Sequence, residues 1–357
     1  MEVGIVGLPV SGKTTLFATL TGQPADAAFG GGKVEVHRGV VKVPDERLDK
    51  LTAIFNPKKK VPATIEYIEV GGMDSDQSKG FDAQFLQVLK NTAALCVVIR
   101  AFEDTFHPHP AGKVDPQRDI QTVEAEFLLS DLAIVENRIE RLQKQVQKAK
   151  DDQKLRELAL LKRCQEILEQ ESPLREHAFT EEEKTMLRGF QFLSAKPVVL
   201  VLNINEADIV QAAEIAARHA EKPNVRVIAL CGKAEAEIAQ LEEEDRAMFL
   251  EELGIVEPAL NKLIRTSFEL LGLISFFTVG EDECRAWTIR QDTAAPGAAG
   301  AIHTDMERGF IRAEVVHYED FMTHQTLAKC RDHGVLRLEG KNYIVKDGDI
   351  MNIRFNV

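Results

Sequence analysis

Gly7, Gly12, Lys13 and Thr14 fit the pattern G-x-x-x-x-G-K-[ST] within GLPVSGKTT, residues 7 to 15. That spacing holds phosphate. Glycines let backbone N–H groups turn inward around the anion, and a helix N-terminus adds the positive end of its dipole. Lys13 is placed to reach the β- and γ-phosphates, and the Thr14 hydroxyl to bind Mg2+. A second candidate is Glu69, which ends the apolar run TIEYIEV just before Gly71 and Gly72. An acid at such a strand end steadies Mg2+ in phosphate-loop enzymes, while an ordinary strand-ending Glu at a turn is the plain alternative. Lys13 and Glu69 are the candidate catalytic residues, and Thr14 and Glu69 the candidate metal ligands.

A third constellation bears on the base. The tetrapeptide Asn203-Ile204-Asn205-Glu206 follows an apolar strand, where GTP-binding proteins carry Asn-Lys-x-Asp. The Asp there accepts two hydrogen bonds from the guanine edge. Glu206 has one more methylene, which displaces the carboxylate by about a bond length and spoils a bidentate pair. Ile204 also lacks the lysine stem that packs on the base. Weak guanine selectivity follows, and adenine becomes admissible. His303, Asp305 and His317 have the chemistry of metal ligands, but their spacing matches no common site, and a structural role is the simpler reading.

These residues need a scaffold. Val3, Ile5 and Val6 make a short buried strand, and Thr15, Leu16, Phe17 and Leu20 open a helix, the strand–loop–helix setting a phosphate loop requires. DERLDKLTAIF (45 to 55) reads as a short helix. Further strands fall at 64 to 70, 94 to 102, 197 to 208 and 224 to 232. Apolar strands separated by helices predict a mainly parallel sheet covered on both faces. Leu128, Leu132, Val135, Ile139, Leu142 and Val146 have coiled-coil spacing. After the polar break KAKDDQK (148 to 154), Leu158, Leu161, Cys164 and Leu168 form a second stripe, so two antiparallel helices are expected. Residues 137 to 163 carry nine basic and four acidic side chains. That composition fits either a contact to RNA phosphates or a solvated face with internal ion pairs. The last eighty residues are strand-like, at 273 to 279, 283 to 289, 309 to 318, 335 to 340 and 343 to 357, with Asp347-Gly348 as a turn signal.

The 357-residue chain has room for two or three cores. A formal net charge of −13 excludes a protein that coats nucleic acid over its whole surface, though not a local basic face. Five scattered cysteines without a C-x-x-C suit reduced thiols in a cytoplasm, not a disulfide frame or a zinc site. No apolar run reaches the roughly 18 residues of a membrane span, and no signal peptide is expected.

The start GIVGLPVSGKTTLF, the run VPDERLDKL, the NINE tetrapeptide, AEAEI (234 to 238) and the tail RAWTI…AAGAIHTDMERGFIRAEV…DGDIMNIRFNV together resemble the YchF family of Obg-related P-loop ATPases. The resemblance spans nearly the whole chain. It implies an α/β fold with a Ras-like P-loop NTPase domain in two parts (1–121 and 193–272), a helical coiled-coil insertion (122–192) and a C-terminal β-grasp, ubiquitin-like TGS domain (273–357). It implies ATP preferred over GTP, slow hydrolysis assisted by Mg2+, and ribosome or structured-RNA association through the basic helical arm or the TGS domain. By matching positions it implies Pro9, Val10, Ser11, Gly12, Lys13, Thr14 and Thr15 on the phosphates. Asn203 and Glu206 would stand at the base, with Cys231 and Gly232 closing over it.

The sequence departs from the family loop G-L-P-N-V-G-K-S-T, with Val10 in place of Asn. The first switch offers no hydroxyl between 27 and 36, where Lys33 falls near the expected Thr. The family's Asp-x-x-Gly is Glu69-Val70-Gly71-Gly72, followed by Met73. Neither switch holds an obvious water-positioning side chain. The rival reading is therefore a hydrolysis-deficient module that binds nucleotide and RNA or ribosome. A GTPase is a further rival, and no acceptor motif supports a small-molecule phosphotransferase.

Overall fold

The computed structural model describes residues 1–23, 36–70, 81–148, 151–219 and 222–356. Lys33, Gly71, Gly72 and Met73 lie outside the described residues. The chain opens with β1 (Glu2–Val6), α1 (Lys13–Thr21), β2 (Val36–Lys42), α2 (Glu46–Phe55), β3 (Lys59–Val61), β4 (Thr64–Val70), α3 (Ala83–Lys90) and β5 (Ala94–Ala101). Next come α4 (Pro116–Val146), α5 (Asp152–Glu169), α6 (Glu181–Leu187), β6 (Val198–Ile204), α7 (Ala212–Ala217), β7 (Val225–Leu230), α8 (Gly232–Gln240), α9 (Glu243–Glu252) and α10 (Ala259–Leu270). The last part holds β8 (Leu273–Thr278), β9 (Glu283–Arg290), α11 (Ala295–Ile302), α12 (Thr304–Arg308), β10 (Phe310–His317), α13 (Tyr318–His324), α14 (Leu327–Asp332), β11 (Arg337–Glu339) and β12 (Asp349–Phe355).

The chain divides into two compact units. The first takes Met1–Gly39 and Glu66–Leu263. Its sheet has the order β2-β4-β1-β5-β6-β7, and β4, β1, β5, β6 and β7 are parallel. β6 is buried at every residue and β5 at all but its last, as expected of parallel strands covered on both faces. Val97, Ile99, Leu202, Phe85 and Phe127 belong to one apolar cluster around them. Parallel pairing brings the C-terminal ends of β1, β4 and β6 to one edge, where the loops carry the chemistry.

The helical pair of this unit starts earlier than residue 122. Asp115 accepts from Arg118 N and Pro116 occupies the first turn, so the cap and the proline fix the start of α4. Val135, Ile139 and Leu142 of α4 share a core with Leu161, Cys164 and Leu168 of α5. Asp151 caps α5 by accepting from Gln153 N and Lys154 N. Asp131, fully buried, accepts from Leu193 N (3.0 Å) and Ser194 N (2.7 Å). This bond ties α4 to the strand that returns to the sheet. Five of the basic side chains in 137–163 pair with acids: Arg138 with Glu157, Lys144 with Glu140, Lys154 with Asp151, Arg156 with Glu182 and Arg163 with Glu183. The ion-pair reading of this segment accounts for most of its described charge.

The second unit takes Val40–Ile65 together with Ile264–Val357, so its boundaries differ from a division at residue 273. Its mixed sheet has the order β11-β10-β12-β8-β9-β3. β8 is antiparallel to β9 and parallel to β12, β10 is antiparallel to both β11 and β12, and β3 adds in parallel beside β9. Ala295, Ala298 and Ala299 bury α11 against this sheet. Small residues let the helix approach closely. Arg47 joins α2 to the turn before β12: it pairs with Asp45 and with Asp347 (2.6 Å) and lies 5.3 Å from the Phe277 ring centre. Phe55 stacks on Phe321 at 5.4 Å. Of the strand-like run 343 to 357, only Asp349–Phe355 is a strand, while Ile344 makes an isolated bridge to Ala294. The Asp347-Gly348 turn is present, with Gly348 at φ 87°. Among the described residues no helix is long and apolar enough to cross a membrane.

Candidate nucleotide site

β1 delivers the chain into the loop at Gly7, and α1 begins at Lys13. Both motif glycines answer to geometry. A Cβ at Gly7 would lie 2.2 Å from Val98 O, so only glycine lets the loop pack on β5. A Cβ at Gly12 would lie 2.2 Å from Asn203 Nδ2, and Gly12 has φ 91°. Gly12 is thus fixed both by backbone conformation and by a side chain that approaches from β6. Val10 stands at φ 55° and is exposed. A β-branched residue there is strained, whereas asparagine tolerates that region.

Lys13 Nζ donates to Leu8 O at 3.1 Å, closing the loop on itself. Burial pulls its pKa down to about 8, against the opposing pull of Glu69. Thr14 Oγ1 donates to Glu69 Oε1 at 2.7 Å. Glu69 is 1% exposed, and burial raises its pKa against the Thr14 bond and the nearby Lys13 and His37. Its second oxygen, Oε2, is buried with no hydrogen-bond partner among the described residues, as is Ser11 Oγ. A carboxylate oxygen left without a partner beside a threonine hydroxyl is a donor set suited to a hard divalent cation. These residues fit a divalent cation such as Mg2+, and Thr14 and Glu69 are the side chains that could hold it. Thr15 is exposed, and Pro9 is half-buried.

Asn203 stands at the end of β6 and is 7% exposed. Its Nδ2 donates to Ser11 O at 3.0 Å, and its Oδ1 accepts from Gly232 N at 2.9 Å. The side chain is a clasp between the phosphate loop and the N-terminus of α8. Cys231 is buried, and burial raises its thiol pKa. Glu206 is half-exposed, and Lys233 Nζ lies 3.6 Å from its carboxylate. The structure therefore brings Ser11, Gly12, Asn203 and Gly232 into direct contact, with Lys13, Thr14 and Glu69 forming a second linked group.

Sequence reasoning missed the clasp because both of its partners are backbone atoms. It also missed Glu235, a buried acid inside AEAEI that accepts from Ala259 N and Leu260 N at the start of α10. The histidines weighed as metal ligands have structural work. His303 accepts from Asp305 N at the start of α12, and His317 lies 3.4 Å from the buried Asp349.

A family model described as YchF-GTPase_C, protein of unknown function (DUF933), matches residues 273–356. The chain is 43% identical over 365 residues to the Ribosome-binding ATPase YchF of Bacillus subtilis strain 168, with 100% of both chains covered. It is 42% identical to the protein of the same name from Escherichia coli O157:H7, covering 99% of that protein. Among solved structures, the YchF GTPase of Schizosaccharomyces pombe matches at a TM-score of 0.88 and 32% identity, over 99% of this chain and 97% of that one. A GTP-binding protein from Pyrococcus horikoshii OT3, 19% identical with a TM-score of 0.58, shares the fold alone. Full-length identity to these relatives and the loop geometry agree: the chain belongs to the YchF family.

Proposed function

We propose that this chain is an ATP-binding P-loop NTPase that prefers ATP to GTP, hydrolyses it slowly, and works as a nucleotide-dependent switch on the ribosome. The carrying observation is the pairing of a lysine-closed glycine loop with a Thr14–Glu69 contact whose second carboxylate oxygen lacks a hydrogen-bond partner among the described residues. Relatives named as ribosome-binding ATPases support the ATPase and ribosome readings. We read the helical pair and the C-terminal sheet as the family's coiled-coil insertion and TGS domain, and free buried thiols suit a cytoplasmic protein.

In this reading the loop amides from Val10 to Thr15 and the Lys13 ammonium hold the triphosphate. A γ-phosphate at Lys13 replaces Leu8 O as its partner and restores its full charge. Lys13 and the amides then stabilise the negative charge that grows as water attacks the γ-phosphorus. Mg2+ held by Thr14 and Glu69 would neutralise phosphate charge there. Asn203 holds the loop against α8, which sets the distance between phosphate and base. Glu206, one methylene too long and facing Lys233, gives guanine a poor partner.

A titration of ATP and GTP with and without Mg2+, followed by single-turnover hydrolysis beside a Lys13→Ala control, tests this reading. Tighter ATP binding, Mg2+ dependence and phosphate release above the control are expected. Binding without release above the control would favour the hydrolysis-deficient module, and tighter GTP binding would overturn the choice of base.

A further inference from the structure

The chain between α5 and β6 does not return to the sheet directly. It makes one turn at Leu174–Glu176, then α6, then a second turn at Arg188–Phe190. Thr180 fixes the start of α6: its Oγ1 accepts from Glu183 N, and Glu183 Oε2 accepts from Thr180 N. Between this segment and the sheet lies a cavity of about 320 Å³, lined in part by Ala93, Pro197 and Asn224. These three stand immediately before β5, β6 and β7. The strands are parallel, so the cavity lies at the edge of the sheet opposite the phosphate loop.

The charged lining is of one sign. Arg175, Lys184, Arg188 and Lys196 line the cavity, and no carboxylate among the described residues does. Two of the four are already answered. Arg175 Nη2 donates to Glu124, and Lys184 pairs with Glu181 at 2.7 Å. The other two are not. Arg188 is exposed and makes no ion pair among the described residues. Lys196 Nζ donates to backbone, to Lys90 O at 3.0 Å and to Thr92 O, and a third N–H remains. Burial pulls its pKa down to about 8 against the pull of Asp131, whose own oxygens accept from Leu193 N and Ser194 N. Arg175, 4% exposed, keeps a buried Nε with no hydrogen-bond partner among the described residues.

A desolvated cation without an acid is costly, and a buried donor without an acceptor adds to that cost. Both are relieved by an anion from outside. We propose that this cavity binds a small organic phosphate monoester, its dianionic head held by Lys196 and Arg188 and its apolar body lying along Phe179 and Phe192. A surplus of two positive charges suits a dianion, and a phosphate monoester is one at neutral pH because its second pKa is about 6. A guanidinium fork matches two of its oxygens, and an ammonium meets another as a point charge. Leu174, Phe179, Leu187 and Phe192 supply the apolar part of the wall. The volume sits at the small end of ligand pockets, which run from about 300 to 1,000 Å³. One ring with its phosphate is the size that follows.

The test titrates phenyl phosphate into the full chain by calorimetry at about pH 7.5, where the dianion prevails. Saturable binding with a Kd of about 1 mM or below is expected. Lys13→Ala should leave it within about twofold, because the phosphate loop is at the other edge of the sheet. Arg188→Glu should weaken it by about tenfold or more, and Arg188→Lys should restore most of the loss. Lys196→Met should weaken it at least as much. Arg188 is exposed, so its variants should unfold at the parent's temperature, which keeps the test readable if Lys196→Met is unstable. Benzoate, a monoanion, and inorganic phosphate, which lacks the ring, should each bind about tenfold more weakly than phenyl phosphate.

Failure of phenyl phosphate to saturate the wild-type chain by about 10 mM overturns the proposal. So does binding that survives Arg188→Glu unchanged, and so does binding that Lys13→Ala abolishes, which belongs to the phosphate loop. Phenol binding as tightly as phenyl phosphate overturns it in favour of a plain apolar pocket. Inorganic phosphate binding as tightly overturns the organic ligand class. The nucleotide and ribosome readings stand under each of these outcomes.

Discussion

The phosphate end and the base end of the nucleotide site are built on opposite principles. At the phosphate end, groups are held in waiting. Lys13 is kept by one carbonyl, and a Glu69 oxygen has no hydrogen-bond partner among the described residues. At the base end, groups are already committed. Asn203 spends its amide on two backbone atoms, and Glu206 faces Lys233. Unsatisfied polar groups are costly in a folded protein and persist where a ligand is to relieve them. On the function proposed above, affinity would come from phosphate and metal, and the base corner would contribute architecture and a modest preference.

Removing the waiting charge should have the largest effect. Lys13→Ala should cost about 3 kcal/mol or more of ATP binding, at least about 100-fold in Kd, and GTP should suffer equally. Calorimetric titration of both nucleotides checks this, and a loss confined to one of them would break the division of labour. Asn203→Ala comes next. It leaves Ser11 O and Gly232 N without their partner, so thermal unfolding should show a loss of about 2–4 kcal/mol even without nucleotide. A variant as stable as the parent that loses only adenine binding would make Asn203 a base ligand and not a clasp.

The lysine also sets a pH dependence. Its pKa in the free protein is lowered to about 8, and a bound phosphate raises it, so only the protonated form binds well. ATP affinity should be level below pH 8 and fall by about tenfold per unit above it. Titrations between about pH 7 and 9 sharpen the comparison, because Lys13→Met should abolish the slope.

Smaller effects belong to the base corner and the loop backbone. Glu206→Asp should shift the GTP-to-ATP preference toward GTP by less than about tenfold, or about 1.4 kcal/mol. Competition with a labelled nucleotide measures this. Val10→Asn should stabilise the protein by about 1 kcal/mol, because asparagine accepts the positive φ that strains valine. A lower melting temperature would mean that the Val10 side chain is needed where it is.

The phosphate loop was legible because its signal is local. A short apolar strand, glycines at fixed offsets and a helix start lie within twenty residues, and Gly7 and Gly12 prove to be packed as the motif requires. The strands ending at Val70, Ala101 and Ile204 were legible for the same reason, as continuous apolar runs between helices. Thr14 and Glu69 meet across 55 positions, and the motif alone made that pairing foreseeable.

What stayed hidden depends on distant partners. Lys59–Val61 joins the C-terminal sheet beside β9, and nothing in three residues announces a strand more than two hundred positions away. Arg47 and Asp347 likewise look like ordinary surface charges until the fold joins them. Helix α11 escaped because APGAAGA carries glycines and no amphipathic stripe, and its helical state comes from close packing of alanines on the sheet. The start of α4 at Pro116 was available in Asp115-Pro116, a cap and first-turn signal that the heptad pattern overshadowed.

The most direct test of the central claim is a calorimetric titration of Mg-ATP into the wild-type protein and into Glu69→Gln, repeated with a chelator. The account predicts that the chelator weakens wild-type binding and barely changes the variant, because Thr14 and Glu69 hold the ion together. Equal chelator sensitivity in both proteins, or none in the wild type, would contradict it.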